Sequence, residues 1–191
     1  AVSIFWFRRD LRLQDNAGLY QALQSGVPVV PVFIFDRTIL DALEDKDDRR
    51  VEFIHQALSS IQEVLTALDS TLDVRYGTPL EVYEELLKDY EVKAVYTNHD
   101  YEPYAIQRDQ SIGQWLQQQG CAFHTFKDQV LLEKNEVLKD DGKPYTVFTP
   151  YSRKWKAVMA ANPISSYNTK KYFNQFFQQS PKHIPTLESM G

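Results

Sequence analysis

Four formal charges fall in the five positions Arg8-Arg9-Asp10-Leu11-Arg12, directly after the apolar run Val2 to Phe7. Guanidinium and carboxylate groups at the first turn out of a strand can do two kinds of work. They can pair with one another and with Asp109 or Glu102, bracing two loops at one sheet edge, since most charges in such places are solvated or structurally paired. They can also rim a polar pocket, because an open α/β sheet keeps its ligand crevice at the carboxyl ends of its strands. The residues alone leave both readings standing, and both favour binding over bond-breaking.

Three further groups fall near the same edge. Phe35-Asp36 closes a second apolar run, and Ile39, Leu40 and Leu43 follow in what reads as a loop able to close over a planar ligand. Arg49 and Arg50 start the next helical stretch, where a guanidinium and free backbone N–H groups suit a phosphate or an acidic tail. The alternative is a solvated pair balancing Asp45, Asp47 and Asp48. In Asn98 to Tyr104, Asp100 and Glu102 can each accept a hydrogen bond from a ring N–H or a hydroxyl, and Glu102 is equally a partner for Arg12. Pro103 biases Glu102 away from helix, so this loop stays extended. His55 and His99 have no metal-ligand spacing around them. The sequence holds no G-x-G-x-x-G after the first strand, no P-loop, no G-x-S-x-G and no Ser/His/Asp grouping marked by spacing. Trp6, Trp115 and Trp155 read as packing residues.

The elements that must position these groups alternate. Short apolar runs at Val2 to Phe7, Val29 to Phe35, Leu72 to Tyr76, Lys93 to Thr97 and Ala122 to Phe126 read as buried parallel strands. Between them Asn16 to Gln24, Arg49 to Asp69, Pro79 to Tyr90 and Pro103 to Gln119 carry helical spacing; in the second, Phe53, Ile54, Ala57, Leu58, Ile61, Val64, Leu65 and Leu68 read as one stripe. Asp15 is placed to cap the first helix, Pro79 and Pro103 suit first turns, and Gly26 and Gly120 suit helix ends. Leu131 to Pro144 reads as a hairpin-like excursion, Tyr151 to Ala161 as a last helix, and 162–191 as a linker that packs onto something. The expectation is a Rossmann-like, doubly wound, five-stranded parallel sheet with helices on both faces, over residues 1–130, closed by 131–161 and followed by that C-terminal linker.

With 191 residues there is room for one domain. Hydrophobic residues at 43% and charged residues at 25% are ordinary for a folded globular chain. The net charge of −5 runs against a nucleic-acid-binding surface, which normally shows as a basic patch. The longest apolar run, Val27 to Phe35, is too short to span a membrane and is broken by Pro28 and Pro31. No secretory pattern precedes Arg8, so a cytoplasmic location is expected. The single cysteine, Cys121, reads as a buried strand position.

Phe7-Arg8-Arg9-Asp10-Leu11-Arg12 followed by Asp15-Asn16 resembles the N-terminal signature of the DNA photolyase and cryptochrome family. Two later segments resemble that family in the same order: Asn98-His99-Asp100-Tyr101-Glu102-Pro103-Tyr104 with Arg108-Asp109, and Tyr145-Thr146-Val147-Phe148-Thr149-Pro150-Tyr151 with Trp155. Three ordered matches over about 150 residues are specific where one would be weak.

The resemblance, which covers residues 2 to about 160, implies the family's N-terminal α/β domain, which in many members holds a light-harvesting antenna chromophore. A larger helical domain beyond it binds FAD and damaged DNA, from whose duplex the lesion is extruded; FAD and the DNA partner would be reached there, with little DNA binding by this chain and no membrane. The resemblance implies a deazaflavin or flavin antenna in preference to folate, because Tyr104-Ala105 stands where a folate-binding pattern has Asn-Glu. Contacts to such a chromophore are expected at Arg9, Phe35, Asp36, Arg50, Ile54, Asp100 and Glu102, with no catalytic residue and no metal. The implied function is the antenna domain of a deoxyribodipyrimidine photolyase, a carbon–carbon lyase. The alternatives are the same domain of a cryptochrome photoreceptor, or a stand-alone nucleotide-binding α/β module.

Overall fold

The computed structural model describes residues 1–45 and 48–190. Five strands, β1 (Val2–Phe7), β2 (Val29–Asp36), β3 (Asp73–Gly77), β4 (Val92–Asn98) and β5 (Ala122–Phe126), form one parallel sheet in the order β3-β2-β1-β4-β5. Among the described residues six α-helices accompany them, α1 (Ala17–Leu23), α2 (Arg37–Leu40), α3 (Arg49–Thr66), α4 (Pro79–Asp89), α5 (Pro103–Gln118) and α6 (Phe148–Ala161), with 3-10 turns at Thr169–Gln175 and Leu187–Met190.

Strand alternation divides the core in two. Phe5, Phe7, Phe33 and Phe35 face α1 and α3, meeting Leu19, Leu23, Leu58, Ile61 and Leu65. Ile4, Trp6, Val30, Val32 and Ile34 face α4 and α5, meeting Val82, Tyr83, Leu86, Ile112 and Leu116. The sheet is therefore doubly wound, and its sense reverses between β1 and β4. The expected fold class is the observed one.

Local chemistry moves several boundaries. Asn16, not Asp15, caps α1, its side chain accepting from Leu19 N at 3.0 Å. Asp15 instead takes a left-handed φ of 48° and accepts from Tyr167 N. Ile39 and Leu40 lie in a helical turn, α2, which Asp36 caps by accepting from Thr38 N. On α3 the buried face is Leu58, Ile61 and Leu65, while Phe53 is 70% and Val64 45% exposed. Each sits about 100° round the helix from a residue of the inward stripe, Ile54 and Leu65, so one turn cannot bury both. Helix α6 begins at Phe148, three residues before the expected start, because Pro150 falls in its first turn, where its missing N–H has no helical partner to lose. The 131–144 excursion forms no strand; Lys139 N bonds Lys143 O at 2.9 Å around Gly142 at φ 77°.

Residues 162–190 pack back on the same sheet. Phe177 N bonds Val29 O at 2.8 Å at the start of β2, and Phe176 is buried in the α1–α3 layer. The segment then runs back along α3: Gln62 reaches Lys182 O at 2.8 Å and His55 reaches Pro185 O at 3.1 Å. Lys182 Nζ is held between Asp73 at 2.5 Å and the Tyr90 hydroxyl at 2.8 Å. This course carries Leu187–Met190 to the carboxyl edge of the sheet, where Met190 is buried. Among the described residues no helix is long and apolar enough to cross a membrane.

Candidate functional site

The carboxyl ends of β1 and β4 diverge at the reversal point and open a crevice of about 270 Å³. The turn after β1 supplies Arg8, Arg9, Asp10 and Arg12; the end of β4 supplies Asn98, His99 and Asp100; the turn after β5 supplies Asp128 and Gln129. Its base is a buried polar knot. Asp10 accepts from Arg8 N and Asn16 Nδ2, each at 3.0 Å, and from Asn98 Nδ2 at 2.5 Å. Asn98 Oδ1 in turn accepts from Gly18 N at 2.8 Å, which fastens α1 to the end of β4.

Every arginine at this crevice has a protein partner. Arg8, with its side chain only 8% exposed, donates both Nη1 bonds to Asp109 at 2.6 and 2.7 Å, and Nη2 to the Asn98 carbonyl. Arg108 shares Asp109, and both guanidiniums lie within about 5 Å of the Trp6 ring centroid, at 5.1 and 4.8 Å, close enough for cation–π attraction. Arg9 pairs with Glu102 and stands 3.6 Å from Asp100. Arg12 donates to Asp128 at 2.7 Å and to Asp15 O at 2.8 Å, so its partner is Asp128, not Glu102. Asp128 also accepts from Ala17 N at 2.8 Å, filling the N-terminus of α1 with a protein carboxylate. His99 bridges Glu133 and Thr125 at 2.9 Å each. The crevice is charged, matched and braced.

A second opening lies along the same edge, between the α2 turn and the start of α3. It is a cleft of about 440 Å³. Its apolar wall is Leu40, Leu43, Val51, Leu187 and Met190. Its rim is carboxylate: Asp41, Asp45, Asp48, Glu52 and Glu188. Asp36 fixes the approach from β2, capping α2 and accepting from the Tyr104 hydroxyl at 2.6 Å, which ties α2 to α5. Burial first, and then that bond to Asp36, push the Tyr104 phenol above its ordinary range, so it stays a donor. Asp48 caps α3 by accepting from Arg50 N at 2.8 Å and also receives the Arg50 side chain at 2.9 Å through Nε. The Arg50 guanidinium and N–H hold the Asp48 carboxyl down to about 2.

The seven residues expected from the sequence thus divide. Arg9, Asp100 and Glu102 come together at the crevice. Asp36 stands between the two openings through Tyr104. Phe35 and Ile54 belong to the core cluster that also contains Leu40, Val51 and Met190, behind the cleft wall. Arg50 lies outermost, its side chain 76% exposed, with its guanidinium on Asp48. The cleft wall itself is made by their neighbours. The open helix start expected at Arg49 and Arg50 is occupied by Asp48; Asp47, the other proposed counter-charge, lies outside the described residues.

Sequence reasoning missed Asp128, Leu187 and Met190, which reach the two openings from 112 to 139 residues beyond Asn16 and Val51 in chain order. Their one local signal is the apolar spacing Ile184, Leu187, Met190 within a polar segment. Cys121 is buried just before β5, and burial pushes its thiol up to about 11.

The profile of the DNA photolyase family matches residues 3–169. An uncharacterized 31.6 kDa protein from the atpI 5' region of Synechococcus sp. strain PCC 6716 is 38% identical over 163 residues, covering 85% of this chain and 57% of its own length. The deoxyribodipyrimidine photo-lyase of Synechococcus sp. strain ATCC 27144 is 31% identical over 166 residues, covering 87% of this chain and 34% of that enzyme. The chain therefore spans about a third to somewhat over half of these relatives. Among solved structures, a bacterial class III photolyase from Agrobacterium tumefaciens superposes with a TM-score of 0.80 at 25% identity, over 98% of this chain and 37% of its own. An archaeal photolyase from Sulfolobus tokodaii, solved with two FAD molecules that implicate a novel light-harvesting cofactor, gives 0.72 at 26% identity, over 93% of this chain and 44% of its own.

Proposed function

Because the chain belongs to the DNA photolyase family, we propose that it is the chromophore-bearing α/β part of a light-driven DNA-repair lyase, a deoxyribodipyrimidine photolyase. In this reading the domain collects light and passes excitation to FAD in a helical domain of the kind found in full-length members, where the damaged DNA is also bound. The chain's net charge of −5 agrees with DNA contact lying elsewhere.

The observation that carries the reading is the cleft between α2 and α3. Excitation transfer needs a ring held in one orientation by shape, stacking and a few hydrogen bonds, with no nucleophile. The cleft's volume of about 440 Å³ falls within the roughly 300–1,000 Å³ usual for ligand pockets. Leu40, Leu43 and Val51 supply the apolar surface for a planar ring, with Phe35 and Ile54 stiffening it from behind. Asp36 ties α2 to α5 through Tyr104, Arg50 holds the Asp48 cap of α3, and Arg9, Asp100 and Glu102 hold the turns at the neighbouring crevice. A flavin or deazaflavin is preferred to folate in this reading because Tyr104-Ala105 stands where a folate-binding pattern has an Asn-Glu pair. The Sulfolobus tokodaii photolyase supplies the precedent of a flavin as light-harvesting cofactor.

The test is titration of the chain with riboflavin, a deazaflavin, FMN, FAD and a reduced folate, followed by fluorescence. At least one flavin or deazaflavin is expected to bind below about 100 μM, roughly 5 kcal/mol of affinity, and Val51→Asp to abolish that binding. If none binds below that bound, the antenna reading fails.

A further inference from the structure

Resting on the reading of the α2–α3 cleft as the chromophore site, we infer that residues 183–190 are a movable wall of that cleft, swinging about a pivot at Lys182, which thereby positions the ligand from the opposite edge of the sheet. Up to Lys182 the segment is densely fastened at the amino edge. Ser70 Oγ donates to Phe177 O at 2.8 Å, Gln179 N to Asp69 O at 3.1 Å and Lys182 N to Thr71 Oγ1 at 2.9 Å. The Lys182 ammonium then closes a buried clasp. Asp73, its side chain 2% exposed, accepts from Lys182 Nζ at 2.5 Å, from the Tyr90 hydroxyl at 2.9 Å and from Arg75 Nε at 2.7 Å. Burial alone would raise the Asp73 carboxyl, but its bonds to Arg75 and Lys182 outweigh that and hold it below its ordinary range, so it stays charged. Removing one side of such a buried pair costs far more than losing an exposed one.

Beyond Lys182 the fastening changes. Among the described residues, one hydrogen bond joins 183–190 to the rest of the chain, His55 Nε2 with Pro185 O at 3.1 Å; the bonds of Ser189 to Thr186 lie within the segment. The other contacts are apolar: Ile184 packs on the α1–α3 core, Met190 is buried, and Leu187 and Met190 face the cleft. A segment with so few hydrogen bonds to its surroundings opens at a fraction of the free energy of global unfolding. A ring placed against Leu40, Leu43 and Val51 gives Leu187 and Met190 more apolar surface to cover, so a bound ligand favours the closed wall. The clasp fixes the point from which that wall returns.

The experiment compares hydrogen exchange of residues 183–190 with that of 177–182, in the chain alone and saturated with FMN or with a deazaflavin. In the free chain 183–190 is expected to exchange at least about tenfold faster than 177–182. Bound ligand should slow 183–190 by about threefold or more and leave 177–182 little changed. Lys182→Met, which removes the ammonium and leaves Asp73 to Arg75 and Tyr90, is expected to weaken ligand binding about threefold or more and to erase most of that protection. Lys182→Arg, which keeps a cation for Asp73, should restore both. A purely structural lysine would lower the melting temperature on substitution without moving either quantity, and that result removes Lys182 from the pivot. If 183–190 exchanges as slowly as 177–182 in the free chain, or if ligand binds without slowing it, the wall is fixed and the inference fails while the antenna reading stands. If neither ligand binds, the antenna reading fails and the movable wall with it.

Discussion

The two openings at the carboxyl edge are built from the same strand ends and differ in what satisfies them. At the β1–β4 crevice each arginine meets a carboxylate from another element, and the buried knot of Asp10, Asn16 and Asn98 leaves its polar atoms partnered. At the α2–α3 cleft the wall is apolar and the charges are one-sided. Fold-level logic directs a ligand to the reversal point. The side chains instead make that point a brace and leave the neighbouring cleft with surface to offer. A charged motif at a strand end can therefore mark the family strongly while its own charges are consumed in holding three loops together.

The sharpest way to break this contrast is to disable the brace. Asp10→Ala removes one acceptor and leaves Arg8 N and the Asn16 and Asn98 amides without it, in a site where Asp10 is 8% exposed. A loss of about 3 kcal/mol is expected, read as a lower denaturant midpoint. A loss under about 0.5 kcal/mol would return the crevice to the status of an open ligand site. Gly18→Ala tests the same knot by shape. In a helix that change ordinarily stabilises by about 1 kcal/mol, but here the new Cβ would stand 2.7 Å from Asn98 Oδ1 and 3.0 Å from Phe5 Cε2. The sign should reverse, to a loss of about 1–2 kcal/mol.

How much of this contrast the sequence carries depends on how local each feature is. The strands were legible to within a residue or two because short β-branched and aromatic runs between helical stretches have one packing solution, and Thr78-Pro79-x-Glu81 forms a capping box at the start of α4. Asp15 and Asn16 are both competent caps, and which one serves is decided by the Asp10–Asn98 knot, a contact 82 residues away for Asn16. Arg9 with Asp100 and Glu102 was legible because the turns after neighbouring strands must meet. Asp128 in the crevice and Met190 in the cleft were not, because only the folded course of the chain along β5 and back along α3 brings them there. For Arg50 the sequence leaves an anion site and a pair with Asp45, Asp47 or Asp48 both open, since nothing in its own position says that Asp48 caps the helix and holds the guanidinium at once.

On the cleft side, Leu40→Asp should separate binding from stability. Leu40 is only partly buried and packs at the edge of the α1–α3 core, so the fold should lose about 1 kcal/mol or less. Flavin or deazaflavin affinity should fall at least about tenfold, the factor that 1.4 kcal/mol represents. If affinity is unchanged while the Asp10→Ala protein, still folded, binds less, the two openings have been assigned the wrong way round.

The smallest expected effect concerns the carboxylate that separates cleft from helix. The Arg50 side chain and N–H lower the Asp48 carboxyl from 3.8 to about 2. A carboxyl depressed on folding contributes stability that is complete above its ordinary value and is lost as pH falls through the folded one, so the window runs from about pH 4 down to about pH 2. Because the pair is exposed, water and salt screen it and the contribution is small. Asp48→Asn retains a capping oxygen but has nothing to titrate. Its melting temperature should fall less steeply than that of the unaltered chain between those two pH values and run parallel to it above about pH 5. Two superimposable acid limbs would show that Asp48 does not hold Arg50 in solution, leaving that guanidinium free to meet an anionic group of a ligand.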